Sequence, residues 1–185
     1  EMDPIVRAAL VHYQFETAHP FLDGNGRLGR LLITLMLIND GVLHSCLFYP
    51  SFQFKKNRSE YYRQLTSVRE RGTYEEWIEF FCNSLLESAK DSVGSLKNLV
   101  DLHNRSTATI TENLGRTAAN GQRLLGILEE HPIVDTAFIA AQLDIGRSTA
   151  SSLVKSFEEL GILRPLDESR QRYRQYGYEE YLSIL

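Results

Sequence analysis

Cysteine is nearly absent from this 185-residue chain: there are two, Cys46 and Cys82, far apart and without metal-ligand spacing. That excludes a disulfide-built scaffold and a cysteine zinc site, and it fits free thiols in a reducing cytoplasm. An excess of positive charge is also missing. With 20 Lys and Arg against 24 Asp and Glu the formal net charge is −4, so no chain-wide basic surface advertises nucleic acid or an anionic membrane. Long apolar runs are missing as well. The longest, LLITLMLI at 31–38, is far too short to span a bilayer, and no signal-peptide pattern stands at the start. No internal repeat or low-complexity stretch is visible. What remains is an ordinary globular composition, 43% hydrophobic and 24% charged, long enough for one large or two small domains. The opening EMDPIVRAAL enters helical periodicity with almost no lead-in, as an ordinary start would, or a fragment cut inside a domain.

The pattern along the chain predicts a mainly helical protein. Asp3 and Pro4 make an N-cap and a first helical position, and IVRAALVHYQFETA follows as an amphipathic helix that Pro20 closes. After the loop HPFLDGNG, a second helix runs from about Gly26 to Asn39. It is apolar nearly all round, which predicts a buried central helix. Residues 42–56 read as irregular. A helix follows over NRSEYYRQLTSVRERG, ending at Gly72, and another from Tyr74 to about Ser92, with helical spacing continuing beyond 94. The polar stretch RSTATITENLGRTAANG predicts a linker at 106–117 between a first domain, 1–105, and a second, 118–185. The second reads as helix, helix, turn, helix and two short extended runs, the order of a winged helix-turn-helix (α+β) domain.

The densest chemistry lies in HPFLDGNGRLGR, His19 to Arg30. A histidine accepts a proton near neutral pH. Asp23 offers a hard oxygen to Mg²⁺. Gly24 and Gly26 let backbone N–H groups approach an anion, at a helix N-terminus whose dipole attracts negative charge. Arg27 and Arg30, three residues apart, lean over the same end. A base, a metal ligand and an anion cradle around one point suit phosphoryl or nucleotidyl transfer. No lysine follows the glycines, so this is not a Walker loop, and no second His or Cys stands at zinc spacing. His12, His44, His103 and His131 carry no such company and read as surface or satisfied core residues.

The twelve residues resemble the Fic-family signature H-x-F-x-D/E-G-N-G-R-x-x-R at every defined position. The flanking AALVHYQFETAH and FKKNRSEYYRQLTSVRERGTYEEWIEFF also resemble Fic segments, so the likeness covers residues 1 to about 95. It implies a Fic-type helical bundle and AMP transfer from ATP to a Ser, Thr or Tyr hydroxyl of a protein, the chain itself included, or the reverse removal of AMP. By the same resemblance His19 is the base and Asp23 holds Mg²⁺. Asn25, with the backbone of Gly24 and Gly26, would hold phosphate oxygens. Arg27 would meet the β-phosphate and Arg30 the γ-phosphate. Phe21 would anchor the loop in the core, and Tyr61 and Tyr62 match positions near the adenine. Arg69 stands where some relatives carry asparagine. The family's target-docking flap and inhibitory helix do not fit into residues 1–18. The chain is therefore expected to be a C-terminal fragment that binds nucleotide and transfers AMP poorly.

The tail resembles an appendage of one bacterial Fic subgroup. Residues 118–185 carry seven basic and ten acidic side chains, a net of 7 − 10 = −3, which is poor for DNA binding. The local pattern is better: Arg147, Ser148, Thr149, Ser151, Ser152 and Lys155 open the third helix, and Arg170, Arg172 and Arg174 follow in the wing. DNA contact through Arg147, Ser148, Lys155 and Arg172 and a protein-contact or homodimerisation role both stay open. So does a second class of function, a DNA-binding regulator or toxin-like module whose Fic unit senses nucleotide. No membrane partner is expected.

Overall fold

The computed structural model describes residues 2–44, 48, 50–167 and 174–185. They form nine α-helices and three short strands, and the chain divides into two compact units, residues 1–94 and 95–185.

In the first unit α1 (Pro4–Ala18) and α2 (Asn25–Asn39) pack against each other. Asp3 caps α1 as expected, its carboxylate accepting the N–H groups of Ile5 and Val6. Close approach of the two helices depends on Gly29. A Cβ there would lie 2.5 Å from Glu16 Oε1, 3.1 Å from the Phe15 ring and 3.2 Å from His12 Cε1. Arg7 pairs with Asp40 at the other end of α2. α3 (Ser51–Lys56), α4 (Arg58–Arg71) and the first part of α5 (Tyr74–Asn113) complete the unit. Its core joins Ala8, Ala9 and Tyr13 to Ile33, Leu37, Phe54, Tyr61, Leu65, Trp77 and Phe81. The Trp77 indole N–H donates to the Ala9 carbonyl at 2.9 Å.

Three expectations are corrected here. α2 is not buried all round: Gly29, Ile33 and Leu37 face inward, while Leu28, Leu31 and Leu35 are 42–53% exposed. Apolar composition marks a helix as able to be buried, but the neighbours decide which stripe is. Phe21 is half exposed, its ring centre 6.3 Å from that of Phe15. Residues 51–56, read as irregular, form the one-and-a-half-turn helix α3, too short to show periodicity, with Pro50 at its N-cap position. Cys46 lies outside the described residues; Cys82 is a free thiol, its pKa raised by burial.

The second unit takes the remainder of α5, which is helical to Asn113 without a break, so the expected linker is helix over 106–113. The segment is polar because it is largely exposed, yet Ser106 and Ile110 are buried and Ile110 joins the core. A 3₁₀ turn (Gly115–Thr117) leads to α6 (Ala118–Glu130), β1 (Ile133–Asp135), α7 (Thr136–Leu143), α8 (Arg147–Glu159), β2 (Arg164–Pro165), β3 (Gln175–Gly177) and α9 (Glu179–Ile184). The strands form an antiparallel sheet in the order β1-β3-β2, with Gly177 opposite both Ile133 and Arg164. Three residues of β1 are too few to show a strand pattern in sequence. Leu124, Leu125, Leu128, Ile139, Leu143, Leu153, Phe157 and Leu163 build the core. No helix among the described residues is long and apolar enough to cross a membrane.

Candidate functional site

The loop between α1 and α2 is fixed by its own backbone chemistry. His19 ends α1 in the left-handed region at φ 42, its N–H bonded to the Phe15 carbonyl at 3.0 Å. A positive φ outside glycine costs on the order of 1 kcal/mol and persists only where its surroundings hold it. The next constraint is Asn25, only 2% exposed. Its side-chain oxygen accepts the Phe21 N–H at 2.9 Å and its amide donates to the Phe21 carbonyl. The loop is thus closed through Phe21's backbone, which explains how its ring can stay half exposed.

Gly24, at φ 82, occupies the N-cap position of α2, a conformation open to glycine at little cost. Because glycine has no side chain, no side-chain cap covers the first N–H groups of α2. They remain available as donors at the positive end of a 15-residue helix. The Gly24 N–H itself bonds to Asp23 Oδ1 at 2.7 Å. Asp23 and Arg27 flank this end almost fully exposed, their charged atoms 3.7 Å apart. Arg30, one turn on, folds back over Gly26: a Cβ there would lie 3.1 Å from its Nη1. Glycine at 26 leaves the guanidinium that path.

The structure therefore brings Asp23, Gly24, Gly26, Arg27 and Arg30 to one helix end, with His19 at the other end of a five-residue loop. Two predicted contacts have partners of their own within the unit. The side-chain amide of Asn25 is committed to Phe21. Tyr61 is a core residue, 3% exposed, with its hydroxyl 3.0 Å from His12 Nε2. Tyr62 is half exposed, with the Arg58 guanidinium 5.6 Å from its ring centre. In the second unit Arg147, Ser148 and Lys155 are exposed on α8, Lys155 Nζ lying 3.8 Å from Glu159. Arg170 and Arg172 lie outside the described residues.

His12, read from the sequence as a surface or satisfied core residue, takes the second of these places. It is a satisfied core histidine that pins α2 to the bundle. One ring nitrogen meets the Gly29 carbonyl at 2.9 Å and the other the Tyr61 hydroxyl, while Phe54 and Trp77 stack at 5.8 and 6.1 Å. Burial lowers its pKa from 6.5 to about 4, with the Arg30 charge adding to the fall and the Gly29 bond opposing it. The sign follows. Below pH 6.5 the unfolded chain takes up a proton that the folded one refuses, so stability drops as pH falls from about 6.5 to about 4 and then levels. The drop attributable to His12 amounts to about 3 kcal/mol. Chemical denaturation at a series of pH values reads it directly.

Comparison with known proteins gives sequence matches over the same segment. The model of the Fic/DOC family matches residues 1–37. Protein adenylyltransferase fic-1 of Caenorhabditis briggsae is 35% identical over 96 residues, 52% of this chain and 18% of that protein. Its Caenorhabditis elegans counterpart is 34% identical over 100 residues, 54% of this chain and 18% of that protein. Protein adenylyltransferase Fic of Drosophila ananassae is 37% identical over 82 residues, 44% of this chain and 15% of that protein. The Fic/DOC model thus matches the segment that carries α1, the loop and most of α2, and the chain spans under a fifth of the length of these curated relatives.

Proposed function

We propose that the first unit carries the transfer centre of a protein adenylyltransferase, moving AMP from ATP to a Ser, Thr or Tyr hydroxyl of a protein. The observation that carries this reading is the uncapped N-terminus of α2, with Arg27 and Arg30 beside it and His19 held in a strained conformation one loop away. Helix N–H donors and two guanidinium groups suit the charge of a triphosphate. In the proposed reaction His19 takes the proton of the target hydroxyl and the oxygen bonds to the α-phosphorus. The bond to the β-phosphate oxygen breaks, and pyrophosphate leaves against Arg27 and Arg30. Asp23 fits a Mg²⁺ ion, since one exposed carboxylate together with substrate phosphates is how that ion is commonly held; when bound, Mg²⁺ would neutralise phosphate charge. Titration calorimetry of the chain with ATP tests the site. Binding that weakens at least tenfold in Arg27→Ala and Arg30→Ala supports it, and binding indifferent to both refutes it.

For the second unit we infer a winged helix-turn-helix domain, supported by its element order and three-stranded antiparallel sheet. The exposed Arg147, Ser148, Thr149, Ser151 and Ser152 on α8 suit a DNA contact, against the acidic balance of the region. Anisotropy of labelled duplex DNA at rising salt separates the readings. Affinity that falls steeply with salt and with Arg147→Ala favours a DNA-binding role; no binding at low salt leaves a protein-contact module.

A further inference from the structure

One polar side chain sits deep in the apolar core of the first unit. His12, 1% exposed, lies among Phe54, Tyr61, Trp77 and Phe81, whose ring centres are 5.8–6.2 Å from its own. Burying an imidazole is unfavourable unless both nitrogens are paired, and here they are. The partners fix its state. The Gly29 carbonyl, 2.9 Å from Nδ1, can only accept, so Nδ1 carries the proton, and Nε2 accepts from the Tyr61 hydroxyl at 3.0 Å. An apolar residue could match this packing in stability but not in direction. The direction is toward α2. A Cβ on Gly29 would lie 3.2 Å from His12 Cε1, so the glycine is what lets the ring edge reach the backbone. The Gly29 carbonyl and the Arg30 N–H belong to one planar peptide unit. What holds the carbonyl therefore sets the base of the Arg30 side chain, whose guanidinium folds back over Gly26 at the phosphate end of α2.

We propose that His12 is a positioning residue for Arg30: its Nδ1–H bond fixes the peptide unit from which Arg30 springs, and so sets where the guanidinium meets the distal phosphates of a nucleotide. This rests on the reading of the α2 N-terminus as the phosphate site. His12 touches no nucleotide itself. It acts on ligands whose distal phosphates reach Arg30 and leaves alone those that end at the first phosphate. The two ring nitrogens divide the work. Nδ1 holds the site, and Nε2, bonded to Tyr61 on α4, holds the core.

The full chain carrying His12→Asn or His12→Gln separates the two nitrogens, because asparagine places its amide N–H near the Nδ1 position and glutamine places its amide near Nε2. Calorimetry with ATP and with AMP reads binding, and thermal melting reads stability. Each variant loses one of the two ring hydrogen bonds, so both are expected to melt below the parent. His12→Gln is expected to bind ATP roughly tenfold more weakly, the size of one hydrogen bond to a charged group, and AMP within about twofold of the parent. His12→Asn should bind both nucleotides within about threefold of the parent. ATP binding unchanged in His12→Gln, equal losses for ATP and AMP in that variant, or a tenfold loss of ATP binding in His12→Asn overturns the proposal. The His12→Asn arm decides even if His12→Gln does not fold. Arg30→Ala tests the underlying reading separately: if it binds ATP as the parent does, the phosphate site has failed, and the positioning role falls with it.

Discussion

His19→Ala lowers the rate of label transfer from ATP by roughly 10²–10⁴-fold, the range lost when a general base is removed, while ATP binding changes by less than about threefold. The asymmetry follows from position. His19 lies at the α1 end of the loop and holds the chain by its backbone N–H to Phe15, not by its ring. Removing the imidazole therefore leaves the helix end, Arg27 and Arg30 in place. Alanine also meets the positive φ of 42 less readily than histidine does, so His19→Asn, which tolerates that conformation, is the better control for backbone effects. Single-turnover incorporation over long incubations gives the rate, and calorimetry gives the binding. Equal loss of binding and transfer would show that His19 builds the site instead of acting in the chemistry.

Asn25→Ala has the opposite signature: it removes structure first and function as a consequence. Both hydrogen-bonding ends of the side chain are committed to Phe21. Deleting them leaves the Phe21 N–H and carbonyl without their partner, at an expected cost of about 2–3 kcal/mol. The loop then no longer fixes Gly24 at the α2 N-cap, and displacement by about 1 Å in such a site can cost on the order of 10² in rate. Thermal melting and ATP binding should both suffer, in contrast to His19→Ala. An Asn25→Ala protein that melts like the parent and loses only transfer would mean that the side chain acts on the nucleotide directly.

These two variants show what the sequence made readable. The Asp3–Pro4 helix start, the Gly72 stop and the gathering of Asp23, Arg27 and Arg30 at a helix end were all legible, because each depends on residues within a turn or two of one another. The role of the Asn25 side chain was not, since a motif records which residues occur and not where their side chains turn. His12 was legible as a surface or satisfied core residue, but its partners were not, for a related reason. They are Tyr61, 49 residues away, and Gly29 on a different helix. The exposed stripe of Leu28, Leu31 and Leu35 was misread because composition cannot say which side of an apolar helix its neighbours cover. The polar segment at 106–113 was misread because an exposed helix and a linker share a composition.

The central claim is that the α2 N-terminus holds a triphosphate from which AMP, not phosphate, is passed on. Incubating the chain, and separately its His19→Ala variant, with ATP labelled at the α- or the γ-phosphate tests it most directly. Label retained on protein from the α-position alone, and lost in His19→Ala, is the predicted result. Label retained from the γ-position, or α-label that persists without His19, would contradict it.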